Sequence, residues 1–185
     1  MIYIMQSQIL TVFLYLNVVQ ALNITSRSQW GARTPTHKTA LANGLPYVII
    51  HHTTGSYCDT QADCIKQMKS IQNYHMDSLG WDDIGYNFLI GGDDHVYEGR
   101  GWNNMGAHAA KWNEKSIGIS FIGNYNNDKP TSAQISATKD LIAQAVFRGQ
   151  IDPNYILYGH RQVSSTECPG HNLYAEIMKW PNWKA

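Results

Sequence analysis

The feature that most constrains this chain is a short apolar run, Val48-Ile49-Ile50, set inside YVIIHHTTG at Tyr47 to Gly55. It stops abruptly on His51 and His52. A β-branched run of that length reads as a buried strand, and side chains just past its end sit at a sheet rim, where ligands collect. A second segment has the same character. YGHRQVSSTECPG, Tyr158 to Gly170, carries His160 and, eight residues on, Cys168.

The rest of the chain supplies the layers around such a sheet. Leu22 to Leu45, rich in Thr, Ser and Asn, reads as an irregular arm containing Trp30-Gly31-Ala32-Arg33. Ile65, Met68, Ile71, Met76 and Leu79 recur at helical spacing, which predicts an amphipathic helix over about Gln61 to Leu79, closed by Gly80. Gly85 to Ile90 and Val96 to Glu98 flank Gly91-Gly92-Asp93-Asp94, a hairpin signal. Ile117 to Gly123 reads as a buried strand with small residues (Gly118, Ser120) interleaved. A second helix is expected over Thr131 to Phe147, with Ser132 near its cap. A short strand over Tyr155 to Tyr158 and a last helix over about Asn172 to Trp180 follow. The fold class is therefore α/β, a single domain with a central mixed β-sheet flanked by about three helices. A length of 185 residues suits one domain with a sizeable core and is short for two.

Fourteen basic and fourteen acidic residues cancel, and no Lys/Arg-rich run stands out, so neither nucleic acid nor an anionic membrane is the expected partner. Residues 1–21 contain no charged side chain, have an apolar core from Ile9 to Val19 and end in Val19-Gln20-Ala21. That pattern predicts a secretory signal peptide cut after Ala21, leaving a mature domain over residues 22–185. A retained anchor is the competing reading; the stretch is short for a span and is interrupted by Asn17 and Gln20. A sequon, Asn23-Ile24-Thr25, follows the cut. Secretion changes the cysteine arithmetic. Cys58 and Cys64 can bridge a small loop, which by loop entropy contributes about 2 kcal/mol. Cys168 is left over: an intermolecular bridge, an inert thiol, a nucleophile or a metal ligand.

Two imidazoles and a thiolate are donors that zinc accepts in a tetrahedron with a corner to spare, and such an ion polarises a carbonyl and acidifies water. His51, His160 and Cys168 are the candidates. On spacing alone the signal is weak, because the first lies more than a hundred residues from the others. The wording around them is more specific. YVIIHHTTG, Trp81-x4-Tyr86-Asn87-Phe88-Leu89-Ile90-Gly91, VYEGRGWNNMGAH, IGISFIGNY, GHRQV and LYAEIMKWPNW resemble, in order, the peptidoglycan recognition proteins of animal innate immunity, which are similar to phage zinc amidases. The resemblance runs from about Trp30 to Trp183.

Members of that family that cut peptidoglycan keep two histidines, a cysteine and a tyrosine, and many receptor members have Ser for the cysteine. The matching residues here are His51, His160, Cys168 and Tyr86, with Thr166 also matching the amidase pattern. The resemblance thus implies Zn2+ held by His51, His160 and Cys168, and hydrolysis of the amide between N-acetylmuramic acid and L-alanine. Tyr86 and Thr166 would act at the same centre. On the substrate side it implies groove positions at His52, Thr53, His75 and His108. Gly80-Trp81 and Arg100 match members that favour diaminopimelate stems, and a guanidinium suits the extra carboxylate of that residue. Read singly, Tyr86 and Trp81 are equally ordinary buried aromatics, Thr166 a turn residue and Arg100 a solvated cation.

These observations predict a secreted, extracellular, monomeric amidase that degrades bacterial peptidoglycan, as an immune modulator or a bacteriolytic effector. The alternative is a non-enzymatic receptor that binds the polymer and signals through partners; such a receptor has no need of a thiolate ligand. A hydrolase with Cys168 as nucleophile is the chemical runner-up, and it lacks a recognisable carboxylate or amide to orient its histidine.

Overall fold

Val48, Ile49 and Ile50 have no exposed surface, as befits a strand covered on both faces. The computed structural model describes residue 22 and residues 24–185; the expected leader and Asn23 of the sequon lie outside the described residues. In chain order the elements are β1 (Ile24–Thr25), α1 (Arg27–Trp30), β2 (Leu45–His52), α2 (Gln61–Asn73), β3 (Phe88–Ile90), β4 (Val96–Glu98), β5 (Ser116–Phe121), α3 (Ser132–Phe147), β6 (Ile151–Gly159) and α4 (His171–Ile177). The six strands form one mixed sheet in the order β1-β4-β3-β5-β2-β6. Only the β3–β4 hairpin is antiparallel; every other neighbouring pair is parallel.

Strand parity divides the core. Val48 and Ile50 join Ile117, Ile119, Phe121, Leu141 and Ile177 in a large cluster beneath α3 and α4. On the opposite face a smaller cluster of Trp30, Met68, Ile84, Leu89 and Tyr97 gathers against α2. Register carries His51 to that second face: it lies opposite Ser120 of β5, which lies opposite Leu89 of β3. Alternation along β2 turns the neighbouring His52 the other way.

Several boundaries differ from the sequence expectation. The arm before β2 is not irregular throughout, since it contributes the edge strand β1 and the short helix α1. A capping box between Ser26 and Gln29 starts that helix, and Trp30 at its end is fully buried. The run from Gln61 is helical as expected, but its last turn widens to a π-helix over Tyr74–Ser78. Its buried stripe is Cys64, Met68 and Gln72 rather than Ile65, Met68 and Ile71. Helix α3 begins at Ser132 and is capped by Thr131, again with a capping box, to Gln134. Strand β6 spans nine residues where four were expected. Pro153 interrupts the sequence pattern there, and the sheet tolerates it because β6 is an edge strand. Helix α4 is shorter than expected and ends at Ile177.

Cys58 and Cys64 form a disulfide within the smaller cluster, joining the loop after β2 to the first turn of α2. No helix among the described residues is long and apolar enough to cross a membrane.

Candidate metal centre

Strands β2 and β6 run parallel with Ile50 opposite Gly159, so the next rung outward brings His51 beside His160. Residues more than a hundred apart in sequence thus meet with ring centroids 4.4 Å apart. The loop after β6 doubles back, closed by a 2.8 Å bond from the Arg161 N–H to the Cys168 carbonyl. That return places the Cys168 sulfur 3.7 Å from His51 Nδ1 and within reach of the His52 N–H, which donates to it at 3.4 Å. One ligand atom from each of His51, His160 and Cys168 falls within 4.8 Å of the other two. A tetrahedral zinc ion, with bonds of about 2.3 Å to sulfur and 2.05 Å to nitrogen, would hold the two donors about 3.6 Å apart. The residues present fit such an ion.

The electrostatics agree with that fit. Burial, reinforced by His108, His160 and His52, holds the His51 ring well below its ordinary pKa, and burial lowers His160 as well. Both imidazoles are therefore neutral at physiological pH, the form that ligates a cation. Burial pushes the Cys168 thiol up to about 12, opposed by the bond from the His52 N–H. Its proton must leave when a cation enters, so affinity rises with pH.

The three residues floor a cleft of about 340 Å³ whose walls include Thr53, Trp81, Tyr86, His108 and Thr166. Tyr86 is half-buried with its ring 5.4 Å from that of His51; burial and the neighbouring Cys168 raise its pKa, so the phenol keeps its proton. Thr166 is exposed, and its oxygen accepts from the Cys168 N–H at 3.2 Å, which leaves its own proton free to be donated. Thr53 accepts from the Gly123 N–H at 3.0 Å. His52 also borders the cleft, but its ring is buried and its Nδ1 accepts from the Tyr125 N–H at 3.1 Å.

Three expected groove residues lie apart from the cleft lining. His75 stands behind Trp81, stacked on it at 4.7 Å, and its Nδ1 accepts from the Gly85 N–H. Gly80 supplies a left-handed turn at φ +68° that releases the chain from the helix toward Trp81. Arg100 borders a neighbouring cavity with Arg27, Asp83 and Glu98, and donates through Nε to the Ile84 carbonyl and through Nη1 to that of Met105, both at 2.8 Å.

Sequence reasoning passed over other residues of the site. Ser120, read only as a small strand residue, is a fully buried hydroxyl beside Tyr86, on the same sheet face as His51. Asn126 and Glu167, which bond one another at 3.1 Å, line the cleft mouth. No local pattern marks either; a serine inside an apolar strand was the one legible signal.

A sheet rim carrying two neutral imidazoles and a thiol over an open cleft is an arrangement able to hold a metal ion. Residues 42–171 match the family model described as N-acetylmuramoyl-L-alanine amidase. The chain is 64% identical over 177 residues to peptidoglycan-recognition protein SC2 of Drosophila melanogaster, covering 96% of each. Its fold superposes on Drosophila PGRP-LB with a TM-score of 0.86 at 49% identity, covering 88% of this chain and 96% of that one. PGRP-LE, solved in complex with tracheal cytotoxin, a monomeric diaminopimelic acid-type peptidoglycan, gives a TM-score of 0.86 at 40% identity, covering 87% and 95%. The chain belongs to the peptidoglycan-recognition protein family.

Proposed function

We propose that this protein is a secreted zinc-dependent N-acetylmuramoyl-L-alanine amidase that binds bacterial peptidoglycan, with a preference for diaminopimelate stems, in innate immunity. The observation that carries the reading is the convergence of His51, His160 and Cys168 on the cleft floor. A serine-bearing receptor would lack the third donor. Bound there, zinc would supply Lewis acidity, polarising the scissile carbonyl and making water acidic enough to attack near neutral pH.

The chain's own groups do the rest. Trp81 and Thr53 offer an apolar wall and a polar one to a ligand of mixed amide and sugar character. The Tyr86 phenol, protonated and adjacent to His51, donates to oxygen at the reacting carbonyl, where negative charge develops. Thr166, its oxygen accepting from the Cys168 N–H, has a proton it can donate at the same centre. The test is metal analysis of the purified protein together with stem-peptide release from diaminopimelate-type and lysine-type polymer. We expect one zinc per chain, release that stops on chelation and returns on adding zinc, and faster turnover of the diaminopimelate polymer. Full cleavage by metal-free protein would refute the metal mechanism.

Arg100 carries the stem preference in this reading. Its two bonds to backbone carbonyls use two of five guanidinium donors, leaving three, two of them on Nη2, for a carboxylate. Arg100→Ala should lower the ratio of diaminopimelate to lysine binding by roughly tenfold, the scale of one charge-assisted pair. Titration calorimetry with both muropeptides measures it; an equal loss on both would sink the clamp.

A further inference from the structure

His51 has two ring nitrogens, and the structure gives each a different neighbour. Nδ1 faces the Cys168 sulfur at 3.7 Å, and Nε2 lies 3.0 Å from Nδ1 of His108. One proton is shared across that second contact, so the pair has two arrangements. If His108 holds it, Nε2 of His51 is the acceptor and Nδ1 must carry the ring's proton, which closes it to a cation. If His51 holds it, Nδ1 presents a lone pair among the three donors.

We infer that His108 is a positioning residue for the metal: it accepts the Nε2 proton of His51 and so fixes the tautomer and ring angle that aim Nδ1 at the ion. The inference rests on the proposed amidase reading and reassigns His108 from groove wall to ligand support. The surrounding structure is shaped for that task. A Cβ at Gly118 would meet the His108 ring at 2.4 Å, and one at Gly106 would meet it at 2.5 Å, so both glycines leave room for the imidazole. The two rings cross edge to face with centroids 4.9 Å apart. Asn113 fixes the backbone beneath, its Oδ1 accepting from the N–H of His108 at 2.9 Å and of Ala109 at 2.8 Å. His108 Nε2 is buried without a partner, so the pair with His51 is the ring's only hydrogen bond among the described residues. Groups that hold a metal-ligating histidine by its second nitrogen change metal affinity by 10- to 100-fold when removed.

The test compares zinc affinity, by competition with a chromophoric chelator, across the intact protein, His108→Leu and His108→Asn. Leucine fills space without accepting a proton, whereas the Asn Oδ1 sits close to where Nδ1 was. We expect His108→Leu to bind zinc about 10- to 100-fold more weakly and His108→Asn to recover most of that loss. Wild-type affinity in His108→Leu, or an equal loss in both variants, would overturn the inference. Should His108→Leu fail to fold, nitrogen NMR of the zinc-loaded wild type decides: a proton on His51 Nε2 with a scalar coupling across the hydrogen bond to His108 Nδ1 supports it, and a proton on His51 Nδ1, or no such coupling, overturns it. A wild-type protein that binds no zinc would instead sink the amidase reading itself, so the two failures are distinguishable.

Discussion

Replacing Cys168 by serine is expected to lower stem-peptide release by about a thousandfold or more while leaving muropeptide binding within a few-fold of wild type. Loss of a single group that stabilises charge at a reacting carbonyl costs about a hundred- to a thousandfold, and in the proposed mechanism the variant loses the ion that would supply that stabilisation. The change in shape is small. Serine keeps an oxygen able to accept from the His52 N–H, so the return of the loop onto β2 survives. What disappears is the soft anionic donor: a hydroxyl does not ionise at neutral pH and is a poor ligand for zinc, leaving two imidazoles to hold the ion. The walls that would contact ligand, Trp81 and Thr53 among them, are not part of the change. Amidase rate, zinc content and calorimetric binding on one preparation separate these effects. A serine variant that cleaves at the wild-type rate would remove the metal from the mechanism.

Trp30→Ala should destabilise the fold by about 3–5 kcal/mol, the cost of emptying a large buried aromatic site. Trp30 has no exposed surface and packs in the smaller cluster with Met68, Leu89 and Tyr97. Its Nε1–H donates to the Glu98 carbonyl at 2.8 Å, so truncation also strands a backbone acceptor at the end of β4. The arm carrying Trp30 adds β1 to the exposed edge of β4, in parallel register from Ile24 opposite Val96. Denaturant unfolding of residues 22–185 measures the loss. A shift below about 1 kcal/mol would mean that the arm is an ornament on a sheet that stands without it.

Much of the scaffold was legible in the chain itself because its signals are local. Val48-Ile49-Ile50 announces a strand buried on both faces, and the Gly91-Gly92-Asp93-Asp94 turn joins β3 to β4 as an antiparallel pair. Two extents were underestimated. Thr, Ser and Asn before β2 looked like loop because propensity ignores the burial of one tryptophan, and Pro153 hid the start of β6 because its cost vanishes on an edge. The family resemblance marked His51, His160 and Cys168, yet nothing in their spacing says that they touch.

The order of residues by itself determined which donors exist: two imidazoles beside strand ends, an unpaired thiol, and a cysteine pair close enough to bridge. Periodicity and turn chemistry, which act over a few residues, determined most of the elements too. Only the tertiary structure decided who meets whom. Parallel pairing of β2 with β6 sets His51 next to His160, and the returning loop adds the sulfur. It also set His75, Gly80 and Arg100 behind or beside the cleft and drew His108 onto the far side of His51. The physical reason is that sheet register acts across a hundred residues, through hydrogen bonds between strands that carry no mark of their partner in their own sequence.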